Sequence, residues 1–339
     1  MSDFVGELKK EVVQLEQSTD LLRGLWLDLS NELQNPEPII RQGEVNMCTL
    51  GNFSCVTGQA KSRKTFLISA ITGAFLCPDE YMGMSGTTDT GIVLYIDTEQ
   101  AVPHVQRTIR RIHRIAGWNE KENHKRLRVL CLRELDPLKR KEAVMQAMEM
   151  IKPILCVIDG IADLLEDTNN NTESISIASL LLKLTTQYNC HILTALHTNP
   201  NSDRARGHIG SEITRKAETV INVSKEGGTS LVKAAYCRDI DIQDFAFIIN
   251  ERGLPELTER QETKPKASKL QELFGNILPP PNSLSHSGLI SKVVERGKVK
   301  ERQAKYKIKD ALDSGIIEID AAGYYSLKIK PPNNGDLPF

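Results

Sequence analysis

The sequence predicts an α/β fold built on a mainly parallel sheet, with antiparallel strands added at one edge and a small basic unit of helices and a hairpin after it. Three observations predict this. A strand-like run at residues 52–57 passes through a glycine-started loop, GQAKSRKT at 58–65, into a helix-forming stretch at 66–76. From residue 46 to residue 257, apolar strand-like runs alternate with amphipathic helical stretches, the pattern of a parallel sheet covered on both faces. Beyond that the charge changes. Residues 264–330 hold 13 lysines and arginines against 7 acids, in a chain whose net charge is −1.

At 339 residues the chain exceeds one domain of ordinary size, so two domains are expected. Hydrophobic content of 40% and charged content of 26% match a soluble protein with a sizeable core. With so small a net charge, any contact with nucleic acid has to come from local basic patches. The sequence lacks a run of about 18 apolar residues, and its first ten residues carry acids. A cytoplasmic protein without a membrane partner is expected. The seven cysteines are odd in number, sit mostly in apolar runs and form no C-x-x-C pair. They read as reduced core residues rather than disulfides or zinc ligands.

In chain order, residues 4–33 place Leu8, Val12, Leu15, Leu21, Leu22, Leu25 and Leu29 at helical spacing with acids between them. Residues 1–45 thus read as an N-terminal helical segment, covering the core or packing on a neighbouring copy. Residues 58–65 read either as a phosphate-binding loop or as a lysine-rich turn between strand and helix. As a phosphate loop, main-chain N–H groups of Gly58, Gln59, Ala60, Lys61, Ser62 and Arg63 curl around a β-phosphate at the positive end of the following helix, which Phe66 begins. Lys64 then reaches the β/γ oxygens and the Thr65 hydroxyl holds Mg²⁺. Arg63 stands where the G-x-x-x-x-G-K-[ST] pattern has its second glycine, which requires its side chain to point outward.

GIVLYID at 91–97 is a nearly continuous apolar run, hence a buried strand. A basic helix at 104–116, a strand at 127–132 and a helix at 139–151 follow. The strand at 154–158 ends in Asp159, a helix spans 174–188, and the next strand spans 191–196. Shorter β runs at 219–223, 231–235 and 245–250 come next, the first two joined by a Glu226-Gly227-Gly228 hairpin turn. Residues 258–267 are polar and aperiodic, a linker. Residues 268–330 then read as helix, Pro279-Pro280-Pro281 turn, two further helices and a hairpin, the outline of a winged helix. The Pro/Asn/Gly-rich tail at 331–339 is expected to be disordered.

Phosphoryl transfer needs charge neutralisation, a metal and an oriented water. Asp159 is placed either to hold Mg²⁺ or to form a strand-end turn. Glu99, in DTEQ at the sheet's C-terminal edge, is a candidate base for the attacking water or a helix N-terminal acid. His197, after HILTAL, is a candidate γ-phosphate sensor or a structural histidine. The loop at 200–210 carries Arg204 and Arg206; it suits single-stranded nucleic acid held by phosphate contacts, or is a solvated loop. Arg238 is a candidate arginine finger for a neighbour's site, or a surface residue; Lys233 is a weaker candidate of the same kind. Arg302, Lys305 and Lys309 share one helix face, suited to duplex DNA or to solvent.

GQAKSRKTF, VLYIDTEQ, ILCVIDG, LTALHTNPNSDRARGHIGSEI and VKAAYCRDID, in that order, resemble the successive motifs of RecA-fold ATPases, in particular the AAA_25 group with the RepA-type hexameric helicases of plasmids and mobile elements. The resemblance covers residues 46–257. It implies a RecA-like P-loop NTPase core with ATP and Mg²⁺ as cofactors. Gly58, Lys64 and Thr65 match the Walker A positions, Asp159 the Walker B aspartate, and Glu99 the catalytic glutamate. His197 falls at the sensor position, Arg204 and Arg206 in the single-stranded DNA loop, and Arg238 at the trans-acting finger. Two departures stand out: Arg63, and fewer basic residues around Arg238 than in DnaB-type helicases. The expectation is a homo-oligomeric ATPase, such as a hexamer, acting on DNA as a helicase or remodelling motor. The alternatives are an ATP-switched DNA-binding regulator and a signalling ATPase without nucleic acid.

Overall fold

The computed structural model of the protein describes residues 27, 29–32, 34–200, 202–259 and 266–328. The expected helix at 4–33 lies almost wholly outside them, as do most of the linker and the tail at 331–339. The chain divides into two compact units after residue 260.

The first unit begins with a hairpin, β1 (Pro38–Gln42) and β2 (Val45–Thr49), that pairs with β4 (Met84–Gly86) in a three-stranded antiparallel sheet ordered β2-β1-β4. The end of the segment at 1–45, expected to be helical, thus contains strand β1. Pro38 lacks an N–H, Gly43 turns the chain at φ 54°, and Ile39, Ile40, Met47 and Cys48 are buried.

The main sheet has nine strands in the order β12-β11-β10-β9-β3-β8-β7-β5-β6. Six run parallel: β3 (Phe53–Gly58), β5 (Val93–Asp97), β6 (Leu127–Cys131), β7 (Leu155–Asp159), β8 (His191–His197) and β9 (Thr219–Glu226). Three antiparallel strands, β10 (Thr229–Cys237), β11 (Phe245–Ile249) and β12 (Pro255–Thr258), extend one edge. All residues of β3, β5 and β7 are buried, the reason these strands read as unbroken apolar runs.

Helices cover both faces. α1 (Lys64–Leu76) and α2 (Val102–Ile115) pack on one, where Leu67, Ile71, Phe75 and Ile112 meet Val56, Tyr95 and Val157. α3 (Pro137–Ile151), α4 (Asn171–Tyr188) and α5 (Gly207–Lys216) pack on the other, where Val144, Met148, Ile177, Leu181 and Ile213 meet Cys55, Ile158 and Ile192. Neighbours such as Cys55/Val56 and Val157/Ile158 thus feed opposite cores, as the two-residue period of a strand requires. Caps set helix starts earlier than hydrophobic spacing implied. Asp136 accepts from Lys139 N with Pro137 at the first helical position, and Asn170 accepts from Glu173 N. The expected loop at 200–210 is shorter, because α5 starts at Gly207, where φ is 76° and a Cβ would strike Thr168 O.

At the start of β8, His191 is fully buried and stays neutral at neutral pH, since burial pushes its ring down to about 4. Its Nδ1 sits 2.8 Å from Thr49 O, and the Glu218 carboxylate accepts from Thr49 N at 3.0 Å and Oγ1 at 2.5 Å. These bonds fasten the end of β2 to the main sheet.

The second unit contains α6 (Lys266–Ile277), α7 (His286–Gly297), α8 (Glu301–Asp313) and a small antiparallel sheet of β13 (Ser283–Ser285), β15 (Tyr324–Leu327) and β14 (Ile317–Ile319). Its own core includes Leu270, Phe274, Leu289, Val293, Ile308 and Tyr325. α7 starts at 286, because residues 283–285 pair with β15 and Ser285 caps the helix through Gly288 N. Among the described residues, no helix is long and apolar enough to cross a membrane.

Candidate functional site

Strand register brings the polar residues together. β8 lies between β3 and β7, with Gly58 beside His197, while Asp97 lies beside Asp159 on β5 and β7. The carboxyl ends of these strands therefore open on one crevice, the usual place for ligands of open α/β sheets. A cleft of about 500 Å³ there is lined by residues 61–66, Glu99, Gln100, Asp159, Asp163 and His197, among others.

Lys64 is buried at the base of the loop. Its Nζ donates to Gly58 O at 3.0 Å and Gln59 O at 3.1 Å, and lies 3.1 Å from His197 Nδ1. Burial draws the ammonium below the usual lysine range, and Asp159 and Glu99 partly offset this. With Nδ1 accepting from the ammonium, the histidine proton belongs on Nε2, which faces Glu99 Oε2 at 3.9 Å. The His197 ring holds the Glu99 carboxyl below its ordinary value. Lys64, His197 and Glu99 thus form one chain across the cleft.

Thr65 Oγ1 donates to Asp159 Oδ2 at 2.9 Å, and the fully buried Tyr95 hydroxyl donates to the same oxygen at 3.1 Å. Hydroxyl and carboxylate oxygens are hard donors and fit Mg²⁺, which takes the rest of its shell from phosphates and water. Among the described residues, no group of three or more His, Cys, Asp or Glu forms an all-protein metal cage. Burial raises Asp159 from an ordinary 3.8 to about 6. The protonated form therefore stabilises the fold below pH 4, and that stabilisation is lost as pH rises through 6. Asp159→Asn keeps an oxygen for Thr65 and Tyr95 without the charge. It should stabilise the empty protein at pH 7 by about 1–3 kcal/mol, with the gain vanishing toward pH 4; thermal melts across pH check this.

The two ends of the loop differ. At Gly58 a Cβ would lie 2.3 Å from Val223 O and 2.6 Å from Ser62 Oγ, so Gly58→Ala should cost about 2–4 kcal/mol in denaturant unfolding. At the other end Arg63 adopts φ 75°, the left-handed conformation that the missing glycine would supply. Its guanidinium turns away from the loop. Nη1 donates instead to Gly228 O at 2.6 Å, in the turn between β9 and β10.

The basic residues lie elsewhere. Arg204, Arg215, Lys233 and Arg238 line a second cleft of about 1100 Å³ between residues 202–205, α5 and strands β9 and β10. Arg238 donates to Lys216 O at 3.0 Å and does not line the cleft that holds Lys64. Arg204 and Arg206 are exposed on a return pinned by Asn199 N to Arg204 O and Arg206 N to His197 O. On α8, Arg302, Lys305 and Lys309 are exposed, and Lys305 pairs with Glu301 at 2.7 Å.

Several site residues escaped sequence reasoning. Asp97 is buried and accepts from Glu99 N at 3.0 Å and Gln100 N at 2.6 Å, so it shapes the turn that presents Glu99. An Asp heading a polar turn was the available signal. Tyr95 was visible only as the one polar-tipped residue in an aliphatic run. Asp163 is half-buried in the cleft, its Oδ2 accepting from Thr98 Oγ1 at 2.8 Å, and burial raises its carboxyl. Nothing in the spacing marked it.

The family model AAA_25, described as an AAA domain, matches residues 17–203, more than half of the chain. No curated protein matches it. The matched residues include the loop at 58–65, Glu99, Asp159 and His197, whereas Arg204, Arg206, Arg238 and the second unit follow them.

Proposed function

We propose, from the fact that this chain belongs to the AAA_25 family, that it is a Mg²⁺-dependent ATPase acting on DNA as an oligomer of identical subunits, with helicase or remodelling activity in replication or mobilisation of a mobile element. Its α/β core is that of a P-loop nucleotide-binding protein. The observation that carries the ATPase reading is the meeting of Lys64, Thr65, Glu99, Asp159 and His197 in a single cleft.

Main-chain amides of residues 58–63 bind the β-phosphate, and Lys64 moves from the loop carbonyls to the β/γ oxygens. Thr65 and Asp159 hold Mg²⁺, which when bound neutralises charge on the transferring phosphoryl group. Glu99 orients and polarises the attacking water, and His197 passes the state of the γ-phosphate into the return at 199–206. Arg238 acts on the nucleotide of a neighbouring copy.

The DNA reading is supported by exposed Arg204 and Arg206 at the end of β8, and by the basic second unit. There a helix triplet with a hairpin fits a winged helix, and Arg302, Lys305 and Lys309 would meet phosphates. Seven free cysteines fit a reducing cytoplasm. Single-stranded DNA should raise ATP turnover. Arg204→Ala/Arg206→Ala should weaken single-strand binding on the order of tenfold and remove that stimulation. DNA binding without any effect on turnover would favour an ATP-switched regulator instead.

A further inference from the structure

We infer that Arg63 is a positioning residue that latches the β9–β10 hairpin to the phosphate loop in the empty protein and releases it when an anionic phosphate enters the cleft. The latch is visible in the contacts. Nη1 donates to Gly228 O at 2.6 Å and lies 3.5 Å from Ser230 Oγ. Gly227 and Gly228 form a two-residue turn between Glu226 and Thr229, and a Cβ on either glycine would meet nothing within 4 Å. The two glycines thus carry no side-chain packing of their own, and the Arg63 guanidinium is a side chain that ties the turn to the loop.

Arg63 also lines the phosphate cleft, next to Lys64. Its guanidinium is consequently offered two acceptors, the neutral carbonyl of Gly228 and the oxygens of a bound phosphate. Both bonds have a cationic donor, but a phosphate oxygen adds the attraction of its own negative charge, which a neutral carbonyl lacks, so the anion wins. Losing the latch frees the hairpin tip. Strand β10 leads from that tip to Lys233 and Arg238, which line the larger basic cleft. Phosphate occupancy on one side of β3 is thereby communicated to the basic cleft through a residue standing where the loop pattern has glycine. The release step rests on the ATPase reading; the latch in the empty protein does not.

Hydrogen–deuterium exchange of the full chain, followed in peptides covering residues 226–230, tests both parts. Arg63→Met keeps the length and the backbone demand but removes the donors. Arg63→Gly satisfies the left-handed backbone and serves if the methionine variant does not fold. Without nucleotide, exchange in these peptides should be about 3- to 10-fold faster in either variant than in wild type, the loss of one hydrogen bond. A non-hydrolysable ATP analogue with Mg²⁺ should bring wild type up to the variant rate and leave the variants unchanged. Equal exchange in empty wild type and variants overturns the latch. Nucleotide that binds wild type, seen with a fluorescent analogue, without speeding exchange overturns the release. If wild type binds no nucleotide, the ATPase reading fails, while slower exchange in empty wild type still supports the latch.

Discussion

Lys64→Ala removes ATP turnover, with a drop of at least about 100-fold expected. The ammonium sits buried within 3.1 Å of two loop carbonyls and His197, at the site where β/γ oxygens would arrive. In so enclosed a place a fixed positive charge offsets phosphate charge far more effectively than it would in water. Its removal also leaves Gly58 O and Gln59 O without this donor, a cost of about 1–2 kcal/mol, offset by no longer burying an ammonium. Melting temperature should therefore change little, and a folded but inactive variant is expected in parallel melts and phosphate-release assays. Equal hydrolysis by wild type and variant would show that the loop does not serve turnover.

Glu99→Gln separates binding from chemistry. Glu99 is exposed in the cleft and held by the Asp97 turn, so the amide retains shape while losing basicity. Turnover should fall about 10²- to 10³-fold, and binding of a fluorescent ATP analogue should stay within a few-fold of wild type. The neutral amide also removes the charge facing His197 Nε2. Near-normal turnover in this variant would exclude Glu99 as the base and shift attention to Asp163, the other acid at the cleft wall whose role is open.

What could be read in advance was whatever burial imposes on composition. Strands covered on both faces must be apolar along their length, so β3, β5 and β7 announced themselves, and polar residues that follow them line one cleft. The hairpin of β1 and β2 did not, because Pro38 to Thr49 mixes apolar and polar residues over short strands whose partner, β4, lies some 40 residues on. Helix starts depended on Asp136 and Asn170, single capping side chains that hydrophobic period does not register. The direction taken by Arg63 depended on Gly228, a residue 165 positions away. Likewise, no spacing places Arg204 and Arg238 on one cleft; only the fold, which sets α5 across that cleft from β9 and β10, does so.

The crowding at Gly58 has a wider bearing. Of the loop's two customary glycines, the first abuts the Val223 carbonyl and leaves no room for a methyl group, while the second position carries a long cationic side chain that finds its own exit. Steric necessity is thus concentrated at the entry to the loop, and its far end is free to vary. Searches that insist on both glycines will pass over chains built like this one; a pattern anchored on the entry glycine and the Lys-Thr pair would retain them.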